Sequence, residues 1–214
     1  MLPLCGGENL KNDNETQSKL LLSAKREFME KGYMKASLRN ICKEAGVTTG
    51  ALYFFFQDKE DLFASLVEEP LEILLNIMKQ HYSEELVDSE FKENGKLDFS
   101  DDLEVVKHVI HHSYQHYDEF QLLLTKSQGS RFEKCIDQIV EFSEKHYRIL
   151  ADMYSEQTNT KKLDDYIVHW FAHMQIDIFV HMLTHEKSEE AALQSMVSIM
   201  KYLMAGWSGL FDEI

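Results

Sequence analysis

Proline and glycine are scarce in this chain: two prolines and nine glycines in 214 residues leave few places for it to turn. That excludes a turn-rich all-β architecture and favours long helices. Cysteine is scarce as well. Cys5, Cys42 and Cys135 are odd in number and far apart, so neither a disulfide framework nor a thiolate metal site is expected, and a reducing cytoplasm is the expected home. No apolar run reaches the length that crosses a bilayer. The opening Met1-Leu2-Pro3-Leu4-Cys5 lacks the basic region and long apolar core of an export signal, so no membrane partner is expected. A phosphate-cradling glycine loop, a nucleophile motif and a paired acid/base signature are missing too. The expectation is a protein that is not an enzyme and needs no cofactor.

What is present is apolar and acidic. Apolar residues make up 44% of the chain, enough to bury one mid-sized core or a small domain joined to a larger one. The formal net charge is -15, and it is unevenly placed. Residues 1 to 66 hold 9 Lys+Arg and 9 Asp+Glu, whereas residues 67 to 214 hold 13 and 28. The first third is neutral and the remainder carries all the excess, which would turn the acidic part away from a polyanion and help to orient docking.

One stretch, residues 37 to 62, has a spacing that implies a mechanism. Ser37 is an expected N-cap, whose hydroxyl would accept a first-turn N–H. Leu38, Ile41 and Ala45 follow at three- and four-residue steps, with Cys42 as a small filler. Gly46 supplies a tight turn, Val47 plugs the space beneath it, and Thr48 is placed to cap a second, short helix that ends before Asp58, the next N-cap. Leu52 and Phe56 point inward, which turns Thr48, Thr49, Gly50, Ala51, Tyr53 and Phe54 outward. Short side chains there let a backbone approach base edges, and their methyls and hydroxyls suit thymine methyls and phosphates. Tyr53, Lys59 and, on the first helix, Ser37 and Arg39 complete the expected DNA-facing set. The pattern is a helix-turn-helix.

At these residues the chain resembles the TetR family of bacterial transcription regulators. The family pattern Ile-Ala-x-x-Ala-Gly-Val-Ser-x-Gly-x-Leu-Tyr-x-His-Phe-x-x-Lys-x-x-Leu appears as Ile41 to Phe56 without a gap, then Lys59 and Leu62. Leu20, Leu21, Ala24, Phe28 and Gly32-Tyr33 fit the family's first helix and its exit, so the resemblance covers about residues 16 to 66. Besides Thr48 for the similar Ser, two departures matter: Cys42 stands for the usual Ala, and Phe55 for a His that in the family commonly helps to hold the DNA backbone. The resemblance implies a dimeric, ligand-responsive regulator, with repression from a palindromic operator as the leading expectation.

The expected fold is all-α: a flexible N-terminal arm (1–15), a three-helix helix-turn-helix domain (16–62) and a larger helical ligand-sensing and dimerisation domain (63–214). Pro70 is expected to bend or split the helix that leaves the head. Residues 88 to 102, with Asn94-Gly95, read as an acidic loop. Residues 163 to 185 and 188 to 211 carry apolar side chains on several faces. They are the expected dimer interface, through Phe171, Ile178, Phe179, Met182, Met196, Met200, Leu203, Met204 and Trp207. Two reading heads about 34–36 Å apart would then fit successive major grooves.

An adaptable apolar pocket for an unknown small effector is expected around Met78, Tyr82, Ile110, His112, Tyr114, Phe142, Tyr147 and Trp170, although each of these would serve equally as ordinary core. His108, His112 and His116 form one four-residue stripe, and His169, His173, Asp177 and His181 another. Such stripes can bind a transition metal, but hydrogen bonding or solvent exposure accounts for them as well, and no metal is assigned. Two rival readings remain open: a metal-responsive regulator, and a helical interaction protein whose C-terminal part binds a protein partner.

Overall fold

The computed structural model describes residues 7–88 and 100–211, so the expected loop at Asn94-Gly95 lies outside the described residues. The fold is all-α. Among the described residues there are nine helices and no strand: α1 Gly7–Lys35, α2 Leu38–Ala45, α3 Thr49–Phe55, α4 Lys59–Asp88, α5 Ser100–Gln115, α6 Tyr117–Lys126, α7 Cys135–Thr158, α8 Asp165–His185 and α9 Glu189–Gly209. They fall into two compact units. The first runs through Glu69 and takes in Gln121–Glu133; the second holds Pro70–Phe120 and the chain from Lys134 onward.

The first unit is built on α1, whose Leu20, Ala24 and Phe28 are completely buried at four-residue spacing. This helix begins at Gly7, well before the expected Thr16. Its early polar residues turn back on the helix itself: Thr16 Oγ1 donates to the Asn12 carbonyl and Ser18 Oγ to that of Asn14. At Gly32 a φ of +71° interrupts the helical geometry, a conformation that glycine adopts without a Cβ clash. Phe28, Tyr33 and Phe63 then close an aromatic core. Phe63 meets Phe28 edge-on at 5.0 Å and Tyr33 edge-on at 5.3 Å.

Residues 121–133 join this unit although they lie far along the chain. Leu122, Leu123 and Phe132 are buried, and the Phe132 ring sits 6.0 Å from that of Phe63. The Arg131 N–H donates to Glu60 Oε1 at 3.0 Å, and its guanidinium donates to Glu68.

In the second unit α7 packs along α8 and α5 against α9. Ala151, Val168, Phe171, Trp207 and Phe211 form a core cluster, with Phe171 and Trp207 ring centroids 4.7 Å apart. α4 runs through Pro70 as one helix, so the expected split does not occur. Proline removes one amide donor, and the Pro70 carbonyl is held from outside by buried His112, whose Nε2 lies 2.8 Å away.

Part of the expected dimer interface is packed inside the single chain: Phe171, Met182, Met196, Leu203 and Trp207 are all buried there, which leaves little of their surface for a second chain to remove from water. Ile178, Phe179, Met200 and Met204 remain half-buried. The apolar side chains left most open on these two helices are instead Tyr166, Trp170 and Tyr202.

Candidate nucleic-acid interface

The helix pair is held by local hydrogen bonds. Gly46, at φ +69°, ends α2 in the left-handed conformation, and its N–H is donated back to the Cys42 and Lys43 carbonyls. Thr48 caps α3 by accepting the Ala51 N–H at 3.2 Å. At the next start, the N-cap Asp58 accepts the Asp61 N–H at 2.9 Å, while Asp61 reaches back past it to accept the Gln57 N–H at 2.8 Å.

Ser37 departs from expectation. It stands at the N-cap of α2 but its side chain makes no capping bond. The α2 entry is fixed by Glu27 instead, a residue that nothing in the helix-turn-helix spacing marks. The Glu27 carboxylate is 2% exposed. It accepts from the Ser37 N–H at 3.1 Å, from Lys31 Nζ at 3.1 Å and from Asn40 Nδ2 at 3.5 Å. Burial pushes its carboxyl upward, but Lys31, the Ser37 N–H and Asn40 together outweigh that and hold it below its ordinary value. The one signal in the sequence was the four-residue step from Glu27 to Lys31 on an apolar helix.

With Leu52 and Phe56 buried, α3 turns its other face outward. Thr48, Thr49 and Gly50 are exposed and Ala51 is half-buried. Tyr53 is 55% and Phe54 73% exposed. Arg39 is exposed on α2, and Ser37 and Lys59 are half-buried. The Lys59 ammonium does not reach outward: it donates to the Tyr33, Met34 and Ala36 carbonyls at 2.8, 3.3 and 3.5 Å and lies 4.5 Å from the centre of the Tyr33 ring. Its charge therefore neutralises the carbonyl end of α1, leaving only its backbone N–H for a phosphate. Tyr33 in turn donates its hydroxyl to Glu60 at 2.8 Å. Burial, reinforced by Glu60, pushes that phenol up to about 12. Phe55, in the family His position, is half-buried and meets Phe54 edge-on at 4.9 Å.

In the second unit the expected effector residues fall into separate groups. Tyr82 stacks on buried His146 at 3.9 Å and 4°, donates its hydroxyl to Ser143 at 3.0 Å, and lies beside Phe142 and Tyr147. His146 Nε2 meets Glu85 at 2.6 Å, a link between α4 and α7 that the sequence did not signal. Met78 is half-buried on α4. Ile110 is fully buried and His112 is committed to Pro70. Tyr114 donates to the Glu186 carbonyl at 2.9 Å, and burial, with Glu186 nearby, pushes its hydroxyl up to about 12.

Trp170 lies apart from these residues, 51% exposed. It lines an open groove of about 730 Å3 along α8 and α9 with His173, Asp177, His181 and Ser195. Within the histidine stripes neighbouring rings meet, His112 with His116 at 4.9 Å and His169 with His173 at 4.6 Å, while His169 also meets Glu144 at 2.7 Å and His181 stacks on His185 at 4.0 Å. Among the described residues no group of three or more His, Cys, Asp or Glu is arranged to hold a metal, and no described helix is long and apolar enough to cross a membrane.

An all-α chain whose short, capped second helix is left bare belongs to the helix-turn-helix class. Residues 20–66 match the family model described as bacterial regulatory proteins, tetR family, and this segment of the chain is a TetR-family domain. The chain is similar to the HTH-type transcriptional repressor BepR of Brucella suis biovar 1 (strain 1330), 45% identical over 53 residues that cover 25% of each chain. The matched segment thus spans about a quarter of that curated relative. At the level of fold, Salmonella enterica GusR superposes with a TM-score of 0.55 at 19% identity, covering 92% of this chain and 95% of that one. A crystal structure of AibR in complex with isovaleryl coenzyme A and operator DNA superposes with a TM-score of 0.53 at 16% identity, covering 86% and 97%.

Proposed function

We propose that this chain is a dimeric, DNA-binding transcriptional regulator, a repressor that leaves a palindromic operator when a small apolar or amphipathic effector binds its helical second unit. The observation that carries the proposal is the outer face of α3, where Thr49, Gly50, Tyr53 and Phe54 are left exposed by a tightly capped turn inside the TetR-family segment. In this reading residues 16 to 62 are the reading domain and the chain from 63 onward senses and dimerises. Arg39 and Tyr53 hold phosphates while α3 enters the major groove. The exposed Tyr166, Trp170 and Tyr202 of α8 and α9, with half-buried Ile178, Phe179, Met200 and Met204, meet a second copy.

The aromatic group around Tyr82, Phe142 and Tyr147 is the proposed effector wall. AibR, of the same fold, is described with both an acyl coenzyme A and operator DNA, which supports placing both functions on such a chain. An effector releases the operator only through its differential affinity for the two subunit arrangements.

The test is binding of the purified chain to DNA from upstream of its own gene, by fluorescence anisotropy across a salt series with unrelated duplex as competitor. Tight, competitor-resistant binding with two chains per site is the expected result. Binding no better than competitor at every salt would refute regulation of its own promoter.

A further inference from the structure

On the outer face of α3, Gly50 and Phe54 meet no demand from inside the chain, while Thr49 hydrogen-bonds the Cys42 side chain and remains exposed. Thr49 and Tyr53, and Gly50 and Phe54, are each four apart, so the four residues share one face, with three side chains around the bare backbone of Gly50. Phe54 is the most exposed of the large apolar residues in the described chain, at 73%. Water disfavours an apolar ring held so far out, yet Phe55 orients it there edge-on, at an interplanar angle of 87°.

Gly50 is equally unexplained from within. Its φ is not in the left-handed region, and a Cβ placed on it would meet only Thr48 Oγ1 at 3.8 Å, an ordinary contact. Glycine weakens a helix relative to alanine, and no contact inside the chain calls for the missing methyl. α3, Thr-Gly-Ala-Leu-Tyr-Phe-Phe, also lacks every Arg, Lys, Asn, Gln, Asp and Glu that makes bidentate hydrogen bonds to base edges. The cations Arg39 and Lys43 are exposed on α2 instead, where they suit phosphates.

Resting on the DNA-binding reading above, we propose that α3 selects its site through thymine 5-methyl groups. Phe54 and the Thr49 methyl close on them, and the bare backbone at Gly50 lets the helix sink far enough for contact. Thymine alone among the four bases offers a methyl in the major groove, so the preferred site carries thymines beneath α3 and discrimination is apolar rather than hydrogen-bonded.

The test begins with a randomised duplex pool enriched by the full-length chain. The enriched sequence is then resynthesised with deoxyuridine for thymine at one position at a time. Loss of each contacted methyl is expected to weaken binding roughly three- to ten-fold. In the Phe54→Ala chain the thymine-to-deoxyuridine difference at the contacted position should collapse toward one, which separates a direct contact from a change in duplex shape. Gly50→Ala should keep or raise the thermal midpoint while weakening binding at least ten-fold.

A pool that does not enrich above its input overturns the DNA-binding reading and this inference with it. Enrichment followed by equal binding of thymine and deoxyuridine duplexes, or a difference that persists in Phe54→Ala, overturns this inference alone. Unchanged affinity of Gly50→Ala overturns the close approach of the backbone.

Discussion

The two units use the same kinds of residue to opposite ends. In the first unit Phe28 and Phe63 are wholly inside, Phe55 is half-buried, and Phe54 stands far out in water. In the second unit Trp207 and Phe171 are buried, Trp170 is half out, and Tyr82 and Tyr147 lie between. The second unit also exposes Tyr166 and Tyr202 about as far as Phe54, so exposure alone does not separate the units. The difference lies in what surrounds the exposed ring: a short capped helix in the first unit, long helices with apolar side chains on several faces in the second.

The largest effect that would test this contrast is removal of a core ring from each unit. Phe63→Ala and Trp207→Ala are each expected to cost about 3–5 kcal/mol through lost burial and cavity formation, read by denaturant unfolding. If the units unfold separately, each variant shifts its own transition and leaves the other in place. A single shared transition for both variants would abolish the distinction between units.

Next comes Glu27→Ala, which leaves the Ser37 N–H and Lys31 without their shared acceptor and is expected to destabilise the head by about 2–3 kcal/mol. Because the Glu27 carboxyl lies below its ordinary 4.5 in the folded chain, its contribution is fully present above that value. It is lost as pH falls through the lower, folded value. The gap between wild type and variant should therefore narrow in acid, measured as the head's unfolding midpoint between pH 7 and pH 3. A gap that widens in acid would reverse the sign assigned to Glu27.

The smallest effect on folding is expected from Trp170→Ala. With half its surface in solvent, it should change single-chain stability by no more than about 0.5 kcal/mol, yet raise the dimer dissociation constant about ten-fold or more if Trp170 anchors the seam. Sedimentation equilibrium decides: an unchanged dissociation constant removes Trp170 from the interface.

Local chemistry made the head legible and its absence hid the rest. Gly32, Gly46, Thr48 and Asp58 each act over a few residues, so their roles follow from spacing, and Leu52 and Phe56 declare the inner face. Ser37 stands at the N-cap as its spacing suggests, but its hydroxyl makes no capping bond. The contact that ties it down is long-range, a carboxylate ten residues earlier that accepts its own N–H. Residues 121–133 were invisible as part of the head because their attachment, Phe132 on Phe63 and Arg131 on Glu60, is entirely long-range.

On α8 and α9 the apolar residues run round the helix, so hydropathy alone could not say which stripe meets α7 and which meets nothing. Phe171 and Trp207, expected at a partner, pack on one another within the chain. The effector set suffered likewise: Tyr82, Phe142 and Tyr147 converge, whereas Ile110, His112 and Tyr114 are tied down elsewhere.

Lys59 gives the head a mechanical property. By plugging its ammonium into three carbonyls at the end of α1, it welds the root of the long α4 to the helix behind it. Within the first unit the carbonyl end of one helix and the amino end of another are thereby pinned by a single ammonium, a joint that a neutral side chain of the same length could not make.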